Sequence, residues 1–185
     1  MKANRLFLSA ATCLATLASA SVALAANPWP AAYDATYTIV DNHNGTATSR
    51  YLSNGTGRTR KETTLGQGKT VTIVDYPSKT VYTIMAAQKM IAKGPWKGDQ
   101  DANTGAELVD LGTSNVDGHI CKGAECAVKG GIKSTWTDKK TNIMVRTIFR
   151  GSGTTRQTDM TAYAEGAPDA SLFELPSGYT IVAKP

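Results

Sequence analysis

Two thiols and one imidazole stand together in the stretch HICKGAEC, in which His119 precedes Cys121 by two residues and Cys126 follows Cys121 by five. These residue types suit three kinds of chemistry: a metal site, a nucleophile with its base, and a disulfide. A structural zinc site needs four ligands, and the one further histidine, His43, is distant in sequence. A thioredoxin-like redox site has two residues between its thiols, whereas four residues separate these two.

Catalysis lacks several of the residues that it would require. A cysteine nucleophile needs a thiolate and an oriented base, and the sequence contains two histidines and neither G-x-S-x-G nor H-E-x-x-H. Acidic residues such as Asp99, Asp101 and Glu107 gather in one middle segment, but none has an apolar context that would raise its pKa. We therefore predict a protein that is not an enzyme and has no metal or other cofactor, with a hydrolase as the remote alternative.

The start of the chain has the pattern of a secretory signal peptide. Two basic residues precede a mostly apolar run, and the small-x-small sequence recognised by signal peptidase ends at Ala25. The apolar run is too short to span a membrane, and no stop-transfer segment follows it. We expect cleavage between Ala25 and Ala26, a periplasmic or secreted location, and two parts: a signal peptide (1–25) and a single domain (26–185).

Export favours a disulfide for the two remaining thiols. Cys13 leaves with the signal peptide, so that an even pair, Cys121 and Cys126, stays in an oxidising compartment. Gly123 between them suits a tight turn. We predict a Cys121–Cys126 disulfide at a hairpin tip, which would stabilise the fold by about 2 kcal/mol, and place His119 on a strand as an ordinary polar residue.

The charge of the domain argues against nucleic acid as a partner. The whole chain has 20 Lys plus Arg and 15 Asp plus Glu. Removing Lys2 and Arg5 with the signal peptide leaves 18 against 15, a net charge of +3. This surplus is small, and the basic residues are scattered among Thr and Gly rather than clustered.

The domain is rich in Thr, Val, Ile and Tyr with regular glycine breaks, which favours β-strands. In YDATYTIV, Tyr37 and Ile39 alternate with threonines, and the Asn44-Gly45 that follows is a strong hairpin signal. Further strands with short turns predict an antiparallel meander. The segment from Ala86 to Gly112 alternates poorly, and for it we expect one or two short helices or an irregular crossing.

Several stretches in this order resemble the LolA-like group of periplasmic proteins, which includes lipoprotein carriers, lipoprotein-sorting relatives and families of unknown function. The stretches are YDATYTI, RTRKE, TVTIVDYPSKTVYTI, LGTSNVDGHIC, STWTDKKTNIMVRTIFRG and DASLFELPSGYTIV. The resemblance spans Tyr33 to Val182, and none of its motifs is catalytic. It implies a mainly β fold: a strongly curved antiparallel sheet, an unclosed barrel, with helices on its concave face.

Carriers of this group hold acyl chains between sheet and helices, so the resemblance implies an apolar cavity for a lipid or another hydrophobic ligand. The sequence contains little long amphipathic helix for a lid. The alternative is an envelope protein with a filled core that acts on a protein partner through its surface. Large apolar residues at alternate positions are the candidates for lining one continuous cavity: Tyr37, Ile39, Val71, Ile73, Tyr82, Ile84, Trp136 and Val145.

Two further groups of residues have predicted roles. Arg58, Arg60 and Glu62 alternate along one strand, and we interpret them as a solvated outer strand rather than as an anchor for a lid or an acidic partner. Phe173, Leu175 and Tyr179, near the C-terminus, are expected to plug the rim of the barrel.

Overall fold

A computed structural model describes residues 30–98 and 107–183. The predicted signal peptide and cleavage site, together with Asp99 and Asp101, lie outside the described residues. Two 3-10 helices, Ala86–Gln88 and Ala170–Phe173, accompany the strands. The strands are β1 (Tyr33–Asp41), β2 (Gly45–Ser53), β3 (Arg58–Leu65), β4 (Gly68–Asp75), β5 (Thr80–Met85), β6 (Met90–Pro95), β7 (Val109–Val116), β8 (His119–Val128), β9 (Gly131–Asp138), β10 (Met144–Gly151), β11 (Thr154–Glu165) and β12 (Thr180–Ala183).

All twelve strands form one sheet in the order β12-β6-β5-β4-β3-β2-β1-β11-β10-β9-β8-β7. Two antiparallel meanders, β1 to β6 and β7 to β11, are joined because β1 pairs with β11. The short β12 adds to β6 in parallel. The sheet is not closed into a barrel, and β12 and β7 are its edges. The mainly β, unclosed architecture expected from the sequence is confirmed.

The middle of the chain differs from the expectation. Met90–Pro95 and Val109–Val116 are strands rather than helix or irregular chain. In β6, Ile91 lies opposite Ile84 of β5, and this β-branched pair supports the strand. The first seven residues of β7 are all exposed, so burial imposes no alternation there that a sequence could display. Within the described residues, the helices expected over the sheet are replaced by two single 3-10 turns.

The predicted hairpin at Asn44-Gly45 is present between β1 and β2. Gly45 has a φ of 75°, which a glycine adopts without steric cost. The Asp41 carboxylate, at the end of β1, accepts the backbone N–H groups of His43 at 2.9 Å and Asn44 at 3.0 Å. These two hydrogen bonds fix the turn, and with it the register of the first two strands.

Residues directly opposite each other on neighbouring strands share a face of the sheet. Leu52, Arg60, Ile73, Tyr82 and Lys93 lie opposite one another on β2 to β6 and define what we term the Ile73 face. On the other side, which we term the Tyr37 face, the corresponding row is Tyr37, Ser49, Thr63 and Thr70.

Two apolar clusters form the core. The Ile73 cluster consists of Val71, Ile73, Ile84 and Ile91, with Tyr82, Leu175 and Tyr179 packed against it. The Cys121 cluster consists of Val116, Cys121 and Val145, with Trp136 and Met160 packed against it. In the sheet order, β3, β2 and β1 separate the strands of the first cluster from those of the second. The core is therefore divided along the sheet.

At one end of the β9–β10 hairpin, the backbones approach so closely that only glycine fits. A Cβ on Gly151 would lie 2.0 Å from the Gly130 carbonyl oxygen and 2.6 Å from the Gly131 Cα. We expect Gly151→Ala to lower the free energy of unfolding by about 1–3 kcal/mol, because backbone must move to admit the methyl group. Gly68→Ala is the control, since its Cβ would meet only the Leu65 carbonyl oxygen at 3.4 Å. Equal urea midpoints for the two variants would contradict the close approach.

Candidate functional site

The eight predicted cavity residues occupy three places. Val71, Ile73, Tyr82 and Ile84 lie together in the Ile73 cluster, and Trp136 and Val145 lie in the Cys121 cluster. Tyr37 and Ile39 lie on the Tyr37 face, because Tyr37 is opposite Ser49 and Ile39 is opposite Ala47. The expectation of one continuous lining is therefore wrong. Alternation shows which residues of one strand share a face, but only the register relates the faces of different strands.

Tyr37 is a packed core residue. It is 2% exposed, and its ring meets that of Tyr51 edge-on with 5.1 Å between centroids. Its hydroxyl donates to the Met144 carbonyl at 3.0 Å, so the buried polar atom is satisfied. Burial, followed by the neighbouring tyrosines, raises its pKa well above the usual range. Tyr37 therefore ties β1 to β10 across β11.

The Ile73 cluster is covered by residues 170–179, which we term the C-terminal strap. The strap begins with a 3-10 turn, where the Asp169 carboxylate accepts the Ser171 backbone N–H at 2.9 Å. Phe173 is 3% exposed, and Leu175 and Tyr179 pack on the cluster. The strap thus takes the position over the apolar sheet that a lid helix was expected to take. Phe173, Leu175 and Tyr179 were predicted to plug the rim of the barrel. In the structure, the strap that contains them covers the Ile73 cluster.

Both ends of the strap are attached to the sheet. At one end, the Arg60 guanidinium donates to the Leu172 carbonyl at 2.7 Å. At the other end, the Thr180 backbone N–H donates to the Lys89 carbonyl at 2.9 Å, and β12 pairs with β6 over four residues. Between these attachments, the contact with the cluster is made by apolar side chains.

Arg60 and Glu62 are largely buried, with side chains 14% and 13% exposed. Arg60 binds Glu62 at 2.6 Å, and the Lys69 ammonium binds the other Glu62 oxygen at 3.0 Å. Burial opposes ionisation of Glu62, but the hydrogen bonds from Lys69 and Arg60 outweigh it and lower its pKa. The interpretation of Arg60 and Glu62 as a solvated outer strand is wrong, and Arg60 is the anchor of the strap. Its neighbour Arg58 is half exposed, as expected.

Beside the Cys121 cluster lies a histidine–carboxylate pair that no sequence pattern predicted. His119 Nδ1 lies 3.0 Å from an Asp138 oxygen, although the two residues are 19 apart in sequence. The Thr141 backbone N–H is the main cause that lowers the pKa of Asp138 to about 2, and the hydrogen bond with His119 adds to it. Burial, followed by the negative charges of Asp138 and Asp117, raises the pKa of the Cys121 thiol.

This environment disfavours nucleophilic chemistry at Cys121. The thiol is fully buried, and its raised pKa keeps it protonated, whereas attack requires an accessible thiolate. No group of three or more His, Cys, Asp or Glu within residues 30–98 and 107–183 is arranged to hold a metal ion.

The predicted Cys121–Cys126 disulfide is wrong. Both residues lie on β8, where Cys121 is opposite Asp138 and Cys126 is opposite Lys133. Five residues of extended strand separate their Cα atoms by about 17 Å, whereas a disulfide needs about 4.4–6.8 Å. Gly123 does not make a turn. A Cβ there would lie 3.0 Å from Trp136 Nε1, so glycine leaves room for the indole.

We expect two separate thiols with different reactivity. In native protein, iodoacetamide should modify Cys126, which is partly exposed, and should reach the buried Cys121 only after unfolding. Mass spectrometry of a non-reducing digest should show no peptide that links the two. The linked peptide, or equal rates of modification in the folded state, would contradict the extended strand.

The Asp138 network predicts a loss of stability in acid. The folded pKa of Asp138, about 2, lies below the ordinary value of 3.8, so its contribution to stability is present above about pH 4 and declines as the pH falls towards 2. Asp138→Asn should therefore reduce the slope of the unfolding free energy against pH in this window. Asp110→Asn, which removes an exposed carboxylate, is the control. The same slope in both variants would contradict the network, as measured by urea unfolding at several pH values.

Comparison with known proteins identifies the fold. No family model matches the sequence, and no curated protein matches it. An uncharacterized conserved protein from Thermus thermophilus superimposes with a TM-score of 0.66 and 13% identity, over 83% of this chain and 91% of that one. A chain of the Pseudomonas aeruginosa MucA/MucB complex gives 0.55 and 14% identity, over 82% and 58%.

PNGF-II gives a TM-score of 0.55 with 16% identity, over 83% of this chain and 32% of its own. The chain thus spans most of the Thermus protein, somewhat over half of the MucA/MucB match and about a third of PNGF-II. No helix in the described ranges is long and apolar enough to cross a membrane. The unclosed antiparallel sheet, shared with these structures at low identity, is the fold that the sequence resemblance predicted.

Proposed function

We propose that this is an exported binding protein that holds a hydrophobic ligand, a lipid or an acyl chain, between the Ile73 cluster and the C-terminal strap. The observation that carries the proposal is the cover of the cluster. Within residues 30–98 and 107–183, large apolar side chains of three neighbouring strands are covered by a strap of about ten residues, rather than by a second sheet or a long helix. Export is proposed from the signal-peptide pattern of residues 1–25.

A strap of this kind can be displaced at modest free energy. The Arg60–Leu172 hydrogen bond has a charged donor, and such bonds contribute about 1.5–3 kcal/mol. Leu175 and Tyr179 supply the apolar contact, and an acyl chain could supply the same contact in their place. Each CH₂ group buried by the ligand contributes about 0.8 kcal/mol, so a chain of several carbons offsets the loss of the two side chains.

A second candidate is a cell-envelope protein that acts on a protein partner through its surface. Two observations favour it. The buried residues of the Ile73 cluster are only 1–8% exposed, so the sheet and the strap pack closely. The edge strand β7 exposes Val109 and Leu111, and no other described strand pairs with its outer side. One structure that shares the fold is a complex of two proteins, MucA and MucB.

Leu175→Ala separates the two functions. The change loosens the strap and leaves the sheet intact, with a cost of about 1–2 kcal/mol for the lost apolar contact. For a ligand-binding strap, we expect wild-type protein to bind a naphthalene dye that competes with lipid, and the variant to bind both with altered affinity. Arg58→Gln is the matched control, because Arg58 is on the same strand as Arg60 but pairs with Asp75, at 2.9 Å, and not with the strap.

Two results together would contradict the ligand-binding function. If native mass spectrometry of gently purified protein finds no lipid, and dye binding is the same in wild type and Leu175→Ala, the ligand-binding function is wrong. Ile73→Ala then serves as a packing measurement, since a filled core predicts a loss of about 2–5 kcal/mol and no effect on binding.

A further inference from the structure

The charges on the border of the Ile73 cluster are unequal. Arg58 is matched by Asp75, at 2.9 Å, whereas Glu62 is shared by two cations, Arg60 and Lys69. Lys93 has no carboxylate within salt-bridge distance among the described residues. Its ammonium lies 6.0 Å from the ring centroid of Tyr82, which belongs to the cluster. This part of the sheet therefore carries four cations and two carboxylates. The cations are Arg58, Arg60, Lys69 and Lys93, and the carboxylates are Asp75 and Glu62.

The position of Lys93 is set by the strand register. It lies opposite Tyr82, which in turn lies opposite Ile73, and it is two residues from Ile91 on the same strand. Residues two apart on a strand share a face, so the ammonium stands at the border of the apolar cluster. Lys93 is exposed, whereas Ile91 is 1% exposed. An apolar surface and an unmatched cation thus meet at one place. The acidic Glu174 belongs to the strap and would move with it.

The Cys121 cluster has the opposite balance. Arg146 binds both Asp159 and Asp117, and Asp138 binds His119. Three carboxylates thus share one arginine and one histidine. The two apolar clusters of the core differ in the sign of the charges beside them, which distinguishes them as sites for a charged amphiphile.

We propose that the ligand of the Ile73 cluster is an anionic single-chain amphiphile whose acyl chain lies on the cluster and whose head group pairs with Lys93. The inference rests on the proposed function and adds the charge of the head group to it. Charge complementarity selects an anionic head here, and a neutral or cationic head gains nothing from Lys93. Lys69 contributes less, because its charge is already shared with Glu62.

Three probes with the same chain and different heads test the proposal: dodecanoate, dodecanol and dodecyltrimethylammonium, each below its micelle concentration. We expect the exported protein to bind dodecanoate most tightly, dodecanol less tightly and dodecyltrimethylammonium least tightly, as measured by displacement of a naphthalene dye. Raising the salt concentration should weaken dodecanoate alone, because the pair is exposed.

Variants locate the head group. Lys93→Gln should lower the ratio of dodecanoate to dodecanol affinity about threefold, the size of an exposed ion pair, and Lys69→Gln should lower it less. Lys61→Gln is the matched control. Lys61 also lies over a tyrosine, Tyr51, at 5.0 Å, but it is on the Tyr37 face, opposite Thr72.

The outcomes separate the two proposals. Equal affinity for the three probes, or a preference for the cationic one, overturns the anionic head group and leaves hydrophobic binding standing. An equal effect of Lys93→Gln and Lys61→Gln overturns the location. If none of the three probes binds, both the head group and the proposed function are wrong. Unfolding curves of each variant establish that the comparison is made on folded protein.

Discussion

The pairing of β1 with β11 is the interaction on which the rest of the fold depends. It runs from Tyr33 opposite Glu165 to Asp41 opposite Arg156 and joins the two meanders into one sheet. The Arg156–Asp41 salt bridge, at 2.9 Å, closes one end of the ladder. Because β1 and β11 are far apart in sequence, the chain between them must lose conformational entropy before these contacts form. Each meander, by contrast, consists of local hairpins.

This central ladder also sets the polar middle of the Ile73 face. Asp34 of β1 is paired with Arg50 of β2, and on β11 Asp159 is paired with Arg146 of β10. The fully buried Leu52 of β2 lies opposite Asp34 on the same face. Burial of apolar side chains drives each cluster separately.

The sequence predicted the parts of the fold that depend on neighbouring residues. Alternation in YDATYTIV and the Asn44-Gly45 turn are local, and both are found as β1 and the following hairpin. The relation between strands is not local. Tyr37 and Val71 both alternate with threonines, yet the register through β2 and β3 places them on opposite faces. A sequence pattern with a period of two contains no information on that choice.

The predictions of a turn at Gly123 and of a solvated position for Arg60 were wrong for the same reason. Glycine indicates a turn when its conformation matters, but Gly123 is required by a side chain from the next strand, Trp136. A charged residue on an alternating strand indicates solvent, but Arg60 is buried by the strap, more than a hundred residues later in the chain. In both cases, a residue type that usually has a local meaning is explained by a distant partner. The candidate site consists of such distant relations, which is why four of its five sheet residues were predicted, but Ile91 and the cover by the strap were not.

A ligand-binding cover must be attached to the sheet and must also be able to open. Arg60 bears on both requirements. Arg60 is half of a buried ion pair, and its remaining donor reaches the Leu172 carbonyl. When the strap lifts, Glu62 still pairs with the guanidinium, so opening does not leave an isolated charge over an apolar surface. An uncompensated buried charge would cost several kcal/mol. In the proposed ligand-binding function, the Arg60–Glu62 pair would therefore lower the free energy of the open state.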